Sequence, residues 1–277
     1  MSDRVVPVSV VIPCFRCAVT VRRAVQSVVQ QTHKPVEVIL VDDASDDATP
    51  AVLREIESQH PGWVKVILLD ENSGAGSARN SGWAIATQPY ITFLDADDSW
   101  HVDKLQVQYN FMKGNGGVVL CGHQCIRACQ TGNPLQFRAY LLETDVDRIS
   151  LLFRNPFSTP TVMLSRDIPF RFLRGRRHSE DFLLWQQIAW AGFRVVRLEI
   201  PLAYVHKPFY GSHGLSGALW KMEKGELDNF AVLFRSGAIG LGWFSVAALF
   251  SMLKFVIRSL NMTWLRLKSI LWGRERG

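Results

Sequence analysis

The chain has 277 residues, enough to bury a large core, and its 48% hydrophobic and 20% charged composition is that of a globular rather than a disordered protein. Five cysteines, an odd number in a chain of this size, argue against a disulfide framework and fit a reducing cytoplasm. The net charge of +6 is uneven: from Lys254 onward six Lys or Arg stand against one Glu, so the body is nearly neutral, which argues against a nucleic-acid-binding body and for a basic tail meeting an anionic surface.

Met1 to Pro7 leads directly into an apolar strand, without the apolar segment and cleavage site of a secretory signal. Val8 to Pro13 is β-branched and predicts a buried strand. Thr20 to Gln31 places Val21, Ala24, Val25, Val28 and Val29 on one helical face. Val36 to Asp43 predicts the next strand, ending in an acidic run; Thr49 as N-cap and Pro50 at the first helical position start a second helix to about Gln59. Trp63 to Asp70 predicts a third strand. This alternation implies a parallel sheet with ligands at the strands' carboxyl ends.

Asn72 to Gly82 is a glycine-bearing loop turning into a helix, where Gly74 and Gly76 permit close backbone approach and Arg79 offers a forked cation. Its spacing matches neither a P-loop nor a dinucleotide fingerprint. Tyr90 to Asp98 runs from a strand-like stretch into Asp95, Asp97 and Asp98. Asp95 and Asp97 point to one side of extended backbone, where their repulsion calls for a cation; the alternative is that the acids end a strand and cap the helix beginning near His101.

A helix from about Asp103 to Met112 precedes a strand or hairpin arm at Gly117 to Ala128. There Cys121, His123 and Cys125 alternate on one face, with Cys129 further on; a zinc site would need ligands from elsewhere. Cys14-x-x-Cys17 has redox spacing but the place of packing or site-lining residues. In Phe170 to Asp181, Ser179 caps a helix whose first turn holds Glu180 and Asp181, and Arg171, Arg174, Arg176 and Arg177 form a like-charge cluster for an anion or a solvated loop. Val195 to Val205 predicts a final strand pair, and a Gly- and Ser-rich loop follows from Lys207 to Gly217.

Val11-Ile12-Pro13, Val41 to Ser45 with Asp47 and Thr49, Asn72-x-Gly74 with Ala78-Arg79-Asn80-x-Gly82, and Phe93 to Asp98 stand in the order that resembles family 2 glycosyltransferases of the GT-A fold, over roughly residues 8 to 206. The resemblance implies an α/β fold with a Rossmann-like mixed sheet flanked by helices, and inverting sugar transfer from a nucleotide diphosphate sugar to a cell-surface glycan or lipid-linked acceptor. It implies that Pro13, Phe15, Asp42 and Asp43 border the nucleoside, that Arg79 lies near the donor, and that Asp95 and Ala96 face ribose and phosphate. It implies Mn2+ or Mg2+ at Asp97 and Asp95 with His206, His213 in reserve, and a base in the Glu180-Asp181 pair, usually the second member. The sequence departs at Ala44 and Ala48, where glycine is commoner, and at Cys14-Phe15-Arg16. Rival readings are a nucleotidyltransferase, which Pro13 to Arg16 argues against, and a catalytically silent sugar-nucleotide-binding scaffold, which the intact acids argue against.

A catalytic domain is expected over 1–220 and a helical extension over 221–277. Ser236 to Leu253 is 18 residues without a charge, the lower edge of a membrane span. Beyond it Leu253, Val256, Ile257, Leu260, Trp264, Leu267 and Leu271 recur at helical spacing, with Lys254, Arg258, Asn261 and Lys268 on another side. That pattern predicts an amphipathic helix with a basic face, peripheral on the inner face of the cytoplasmic membrane; the alternative is a helical hairpin packed on protein.

Overall fold

The protein is described here from a computed structural model covering residues 4–128, 142–206 and 219–273, the last thirteen by backbone only. It divides into two compact units, Met1–Pro208 and Phe209–Gly277. In the first, strand β1 (Arg4–Cys14) is followed by α1 (Val21–Val29), β2 (His33–Asp42), α2 (Thr49–Gln59), β3 (Val64–Leu68), α3 (Ala75–Ile85), β4 (Tyr90–Phe93), β5 (Ser99–Trp100) and α4 (Lys104–Gly114). Then come β6 (Val118–Arg127), β7 (Glu143–Asp145), α5 (Ser150–Phe153), a 3-10 turn (Thr159–Thr161), β8 (Met163–Ser165), α6 (Glu180–Trp190) and β9 (Arg194–Val205).

The sheet runs β3-β2-β1-β4-β8-β6-β9-β5, with β7 on β9. Its first four strands are parallel, whereas β8 is antiparallel to both β4 and β6. Period-two side-chain alternation makes two cores from one sheet. Val8, Val10 and Ile12 pack with Val21, Val25 and Val28 of α1 and Leu53 of α2, while Val11, Ile39 and Val41 pack with Trp83 of α3 and Trp185 and Ile188 of α6. Helix α3 lies close because Gly82 has no side chain; a Cβ there would stand 2.5 Å from Val11 Cγ1.

Chain order reverses about β1, which has β2 on one side and β4 on the other, so a crevice opens where these strands end. Register sets the rim: Cys14 pairs with Asp42, and Val11 with Phe93, so Asp42 and Asp95 emerge at the same edge.

Several local expectations are corrected. Thr49 is not the cap of α2: Ala48 holds that position, and the Thr49 hydroxyl instead accepts from Cys17 N at 2.8 Å, tying the first loop to the second. Ser179 stands at the N-cap position of α6 with φ 56° but does not cap it with its side chain. Val195 to Val205 is one long strand rather than a pair, paired with β6 on one side and with β5 and β7 on the other. The strand-like stretch from Tyr90 stops at Phe93, leaving the acids in a turn. His123 is buried, its Nδ1 2.7 Å from Gln124 O, and Cys121 is buried beside it; Cys129, His213 and the loop 207–217 lie outside the described residues.

The second unit holds α7 (Leu219–Arg235) and α8 (Leu241–Gly273). Within it Lys254 Nζ lies 3.3 Å from Glu226 Oε2, and Arg258 Nη2 lies 3.5 Å from Glu223 Oε2. The basic face expected of the last helix is therefore turned, at these two positions, onto acids of α7. Over residues 241–260 the exposed side chains of α8 are mainly apolar, including Leu241, Val246, Leu249, Leu253, Val256 and Leu260; Asn261, Trp264, Leu267, Lys268 and Leu271 lie where only the backbone is described.

Candidate active site

The first two loops at the rim are knitted together. Asp43 N donates to Cys14 O at 2.8 Å, and Arg16 forks onto Asp46 with both contacts at 2.6 Å while its own N donates to Ser45 Oγ at 2.9 Å. Arg16 also lies over the exposed ring of Phe15, 5.2 Å from its centroid, and Pro13, near the end of β1, is half-buried. Arg16 and Ala44 have φ of 46° and 55°, so the glycine common at the latter position has a conformational reason.

The two acids ending β2 do different things. Asp43 is tied into the fold: Oδ1 accepts from Ser73 N at 2.9 Å and Oδ2 from Gly74 N at 2.8 Å, which fastens the glycine-bearing loop to the rim. Asp42 accepts from Ser45 N at 3.0 Å through Oδ2, but its Oδ1 is buried with no hydrogen-bond partner. A buried acceptor without a donor is costly, so Asp42 Oδ1 is the oxygen here with the most to gain from a ligand's donor.

The Asp95–Asp98 turn is held by three groups. Asp98 N donates to Asp95 O at 3.0 Å, Arg23 Nη2 donates to Asp97 O at 2.6 Å, and buried Asp98 accepts from His206 N at 3.3 Å. Ala96 is buried, whereas Asp95 and Asp97 are half-buried. His206 Nε2 lies 2.8 Å from Ser99 Oγ. Partial desolvation, with Arg23 adding to it, lowers the pKa of His206 against the opposing pull of Asp97.

Arg79 joins this turn to the other acidic pair. Its guanidinium is buried, with Nη2 2.8 Å from Asp95 Oδ1 and Nη1 3.3 Å from Glu180 Oε1, and it lies 5.4 Å from the Phe172 ring centroid. Gly74, just before α3, has φ 89°, a backbone conformation that favours glycine, and Gly76 leaves room for Glu180, whose Cγ would stand 3.0 Å from any Cβ placed there. Arg79 is thus a strut between two carboxylates; only its Nε lacks a partner.

Asp181, next in the chain, accepts from Phe182 N through Oδ1 at 2.7 Å and from Thr159 Oγ1 through Oδ2 at 3.0 Å. Burial and the neighbouring Glu180 charge push its pKa up to about 6, and Arg79 and these two donors restrain the rise. A carboxylate in that range is ionised at neutral pH yet basic enough to take a proton. The arginine cluster is partly spoken for: Arg171 lies 4.2 Å from the Trp83 ring centroid and donates to Ile168 and Phe170 carbonyls, and Arg177 donates to Asn72 Oδ1 at 2.9 Å.

The oxygen donors of Asp95 and Asp97 fit a hard divalent cation, which is commonly held by one or two carboxylates together with substrate phosphates rather than by a full protein cage. No group of three His, Cys, Asp or Glu among the described residues is preassembled for a metal. His206 fits less well, since its Nε2 is engaged with Ser99. Sequence reasoning missed Thr159, Ser99 and Arg23; each acts across a long separation, and no local pattern marks it.

A family model described as Glycosyl transferase family 2 matches residues 9–173. TuaG of Bacillus subtilis (strain 168), described as a putative teichuronic acid biosynthesis glycosyltransferase, is 41% identical over 218 residues, 78% of this chain and 84% of that protein. WfgD of Escherichia coli, described as a UDP-Glc:alpha-D-GlcNAc-diphosphoundecaprenol beta-1,3-glucosyltransferase, is 28% identical over 181 residues, 65% of this chain and 69% of that one. Two other curated relatives, an uncharacterized glycosyltransferase of Nostoc and the succinoglycan biosynthesis protein ExoO of Rhizobium meliloti, match over only 30% and 29% of their own length. Among solved structures, S. aureus TarS 1-349 in complex with UDP-GlcNAc superposes with TM-score 0.62 at 20% identity, covering 80% of this chain and 66% of that one. The mannosyltransferase PcManGT from Pyrobaculum calidifontis, in complex with GDP-Man and Mn2+, superposes with TM-score 0.61 at 17% identity, covering 96% and 80%. These likenesses show the GT-A fold.

Proposed function

We propose, since this chain belongs to glycosyl transferase family 2 and is a glycosyltransferase, that it carries out inverting transfer of a sugar from a nucleotide diphosphate sugar to a lipid-linked or cell-surface glycan acceptor. One observation carries the reading: Asp181, a carboxylate with its pKa near 6, is linked through Glu180 and Arg79 to the Asp95 turn. The acceptor hydroxyl gives its proton to Asp181, its oxygen forms the new bond to the anomeric carbon, and the bond from that carbon to the diphosphate breaks on the opposite face. General-base help of this kind contributes ~100- to 10,000-fold.

Asp42, through its unpartnered Oδ1, and Phe15 with Pro13 border the nucleoside; Asp43 acts by shaping the loop. Asp97 with Asp95 would hold Mn2+ or Mg2+, which when bound supplies positive charge to the diphosphate. A UDP-sugar donor is supported by the description of WfgD, and a polysaccharide or undecaprenol-linked product by those of both relatives. Nucleotide release should be measured from a panel of UDP- and GDP-sugars with and without Mn2+. Metal-stimulated release in the wild type and a loss of ~100-fold or more in Asp181→Asn, with UDP binding retained, are expected. Asp181→Asn within a few-fold of wild type would move the base elsewhere, Glu180 first.

Attachment to the inner face of the cytoplasmic membrane belongs to the same reading. Leu241–Leu260 is 20 residues long, apolar enough to cross a bilayer by length and composition, and little of it is buried. Because Lys254 and Arg258 are paired with α7, the apolar surface of α8 carries the attachment, and membrane pellets should keep the protein in high salt but release it with detergent. Full-length chain found wholly in the soluble fraction at low salt would contradict this.

A further inference from the structure

Five consecutive backbone carbonyls, from Ser158 to Val162, run through the 3-10 turn that meets Asp181, and every one accepts a hydrogen bond. Thr161 Oγ1 donates to Ser158 O at 2.7 Å and Val162 N to Thr159 O at 3.2 Å. The other three donors are buried side chains from distant parts of the chain: Trp100 Nε1 to Pro160 O at 2.8 Å, Gln108 Nε2 to Thr161 O at 2.9 Å, and Thr92 Oγ1 to Val162 O at 2.7 Å. Lys104, itself fully buried, donates to the Thr92 hydroxyl and sits 3.7 Å from the Trp100 ring centroid, so it supports two of these donors at once. The turn cannot rotate without breaking several buried bonds, each costly to leave unmade.

Thr159 and Thr161 share this turn but use their hydroxyls differently. Thr161 bonds its own turn, the local option open to any threonine. Thr159 reaches Asp181 Oδ2, 22 residues away. We infer that Thr159 is a positioning residue for the base, presented by a turn that Thr92, Trp100, Lys104 and Gln108 brace from behind, so that its hydroxyl and Phe182 N fix the plane of the Asp181 carboxylate. Each oxygen then keeps lone-pair capacity for the acceptor proton, and the carboxylate needs no reorientation as the proton arrives. The inference rests on the reading of Asp181 as the base.

Thr159→Val keeps the shape and removes the donor, leaving Glu180 and Arg79, the charged groups that act on Asp181, in place. Assayed with whichever nucleotide sugar of the panel the wild type turns over, it should lower kcat ~10-fold, leave the donor KM within about twofold, and move the acid limb of the pH profile upward, because a donor that favours the ionised form is gone. Thr159→Ser should recover most of the loss, and Thr159→Ala serves in place of the valine variant should that one not fold. A Thr159→Val or Thr159→Ala enzyme with kcat and acid limb within about twofold of wild type, alongside an inactive Asp181→Asn, overturns the positioning role alone. An active Asp181→Asn removes the base reading, and the positioning role with it.

Discussion

Two carboxylates on opposite sides of function show what this fold does with buried acid. Glu37, midway along β2, is surrounded: Oε1 accepts from Ser9 Oγ, Thr87 N and Thr87 Oγ1, each at 2.7 Å, and Oε2 from Lys65 Nζ at 2.7 Å. Burial pushes its pKa up, but these four donors outweigh it and bring the value down to about 2. Asp181, at the rim, has two donors and an acidic neighbour, and its pKa is near 6. The number of donors and the sign of the nearest charge, rather than burial itself, separate an inert strut from a proton acceptor.

Removing the charge that serves the rim should break the comparison most severely. Arg79→Met leaves Asp95 and Glu180 without their shared cation and lifts a restraint on the Asp181 pKa; a loss of ~3–5 kcal/mol in stability is expected, with transfer falling and its acid limb moving to higher pH. Denaturant unfolding and a pH series on the same preparation check both. Unchanged melting would mean the strut contributes nothing to the fold.

Glu37→Gln sharpens the other side. A depressed carboxylate stabilises the fold above its ordinary pKa of 4.5, and that contribution is lost as pH falls through about 2. The variant should therefore lose roughly 3 kcal/mol at neutral pH, with the deficit closing in acid, while the kinetics of transfer stay as in the wild type. For Asp181 the sign reverses: its pKa is raised from 3.8, so its contribution is present below that value and lost as pH rises through about 6. Asp181→Asn should accordingly melt no lower than wild type at pH ~8.

The contrast also explains what the sequence disclosed. Helix α1 was readable because Val21, Val25 and Val28 repeat on one face, and the rim was readable because strands run into acids at Asp42 and Asp95. The Arg79 strut was not, since Glu180 lies 101 residues away and only packing brings them together. Thr159 sits in an ordinary turn sequence, and nothing local distinguishes it from Thr161. Asp42 and Asp43 look alike in sequence; only the fold shows that backbone amides take both oxygens of one and leave an oxygen of the other unpartnered. The last helix was legible only in part: its spacing separates Lys254 and Arg258 from the apolar residues but cannot say that Glu223 and Glu226 meet them.

The most direct test of Asp181 as the base is the pH dependence of kcat/KM for sugar transfer by the wild-type enzyme. Activity falling on the acid side with an apparent pKa near 6 is the expected result. A rate that stays flat from pH ~8 down to pH ~4.5 would contradict it.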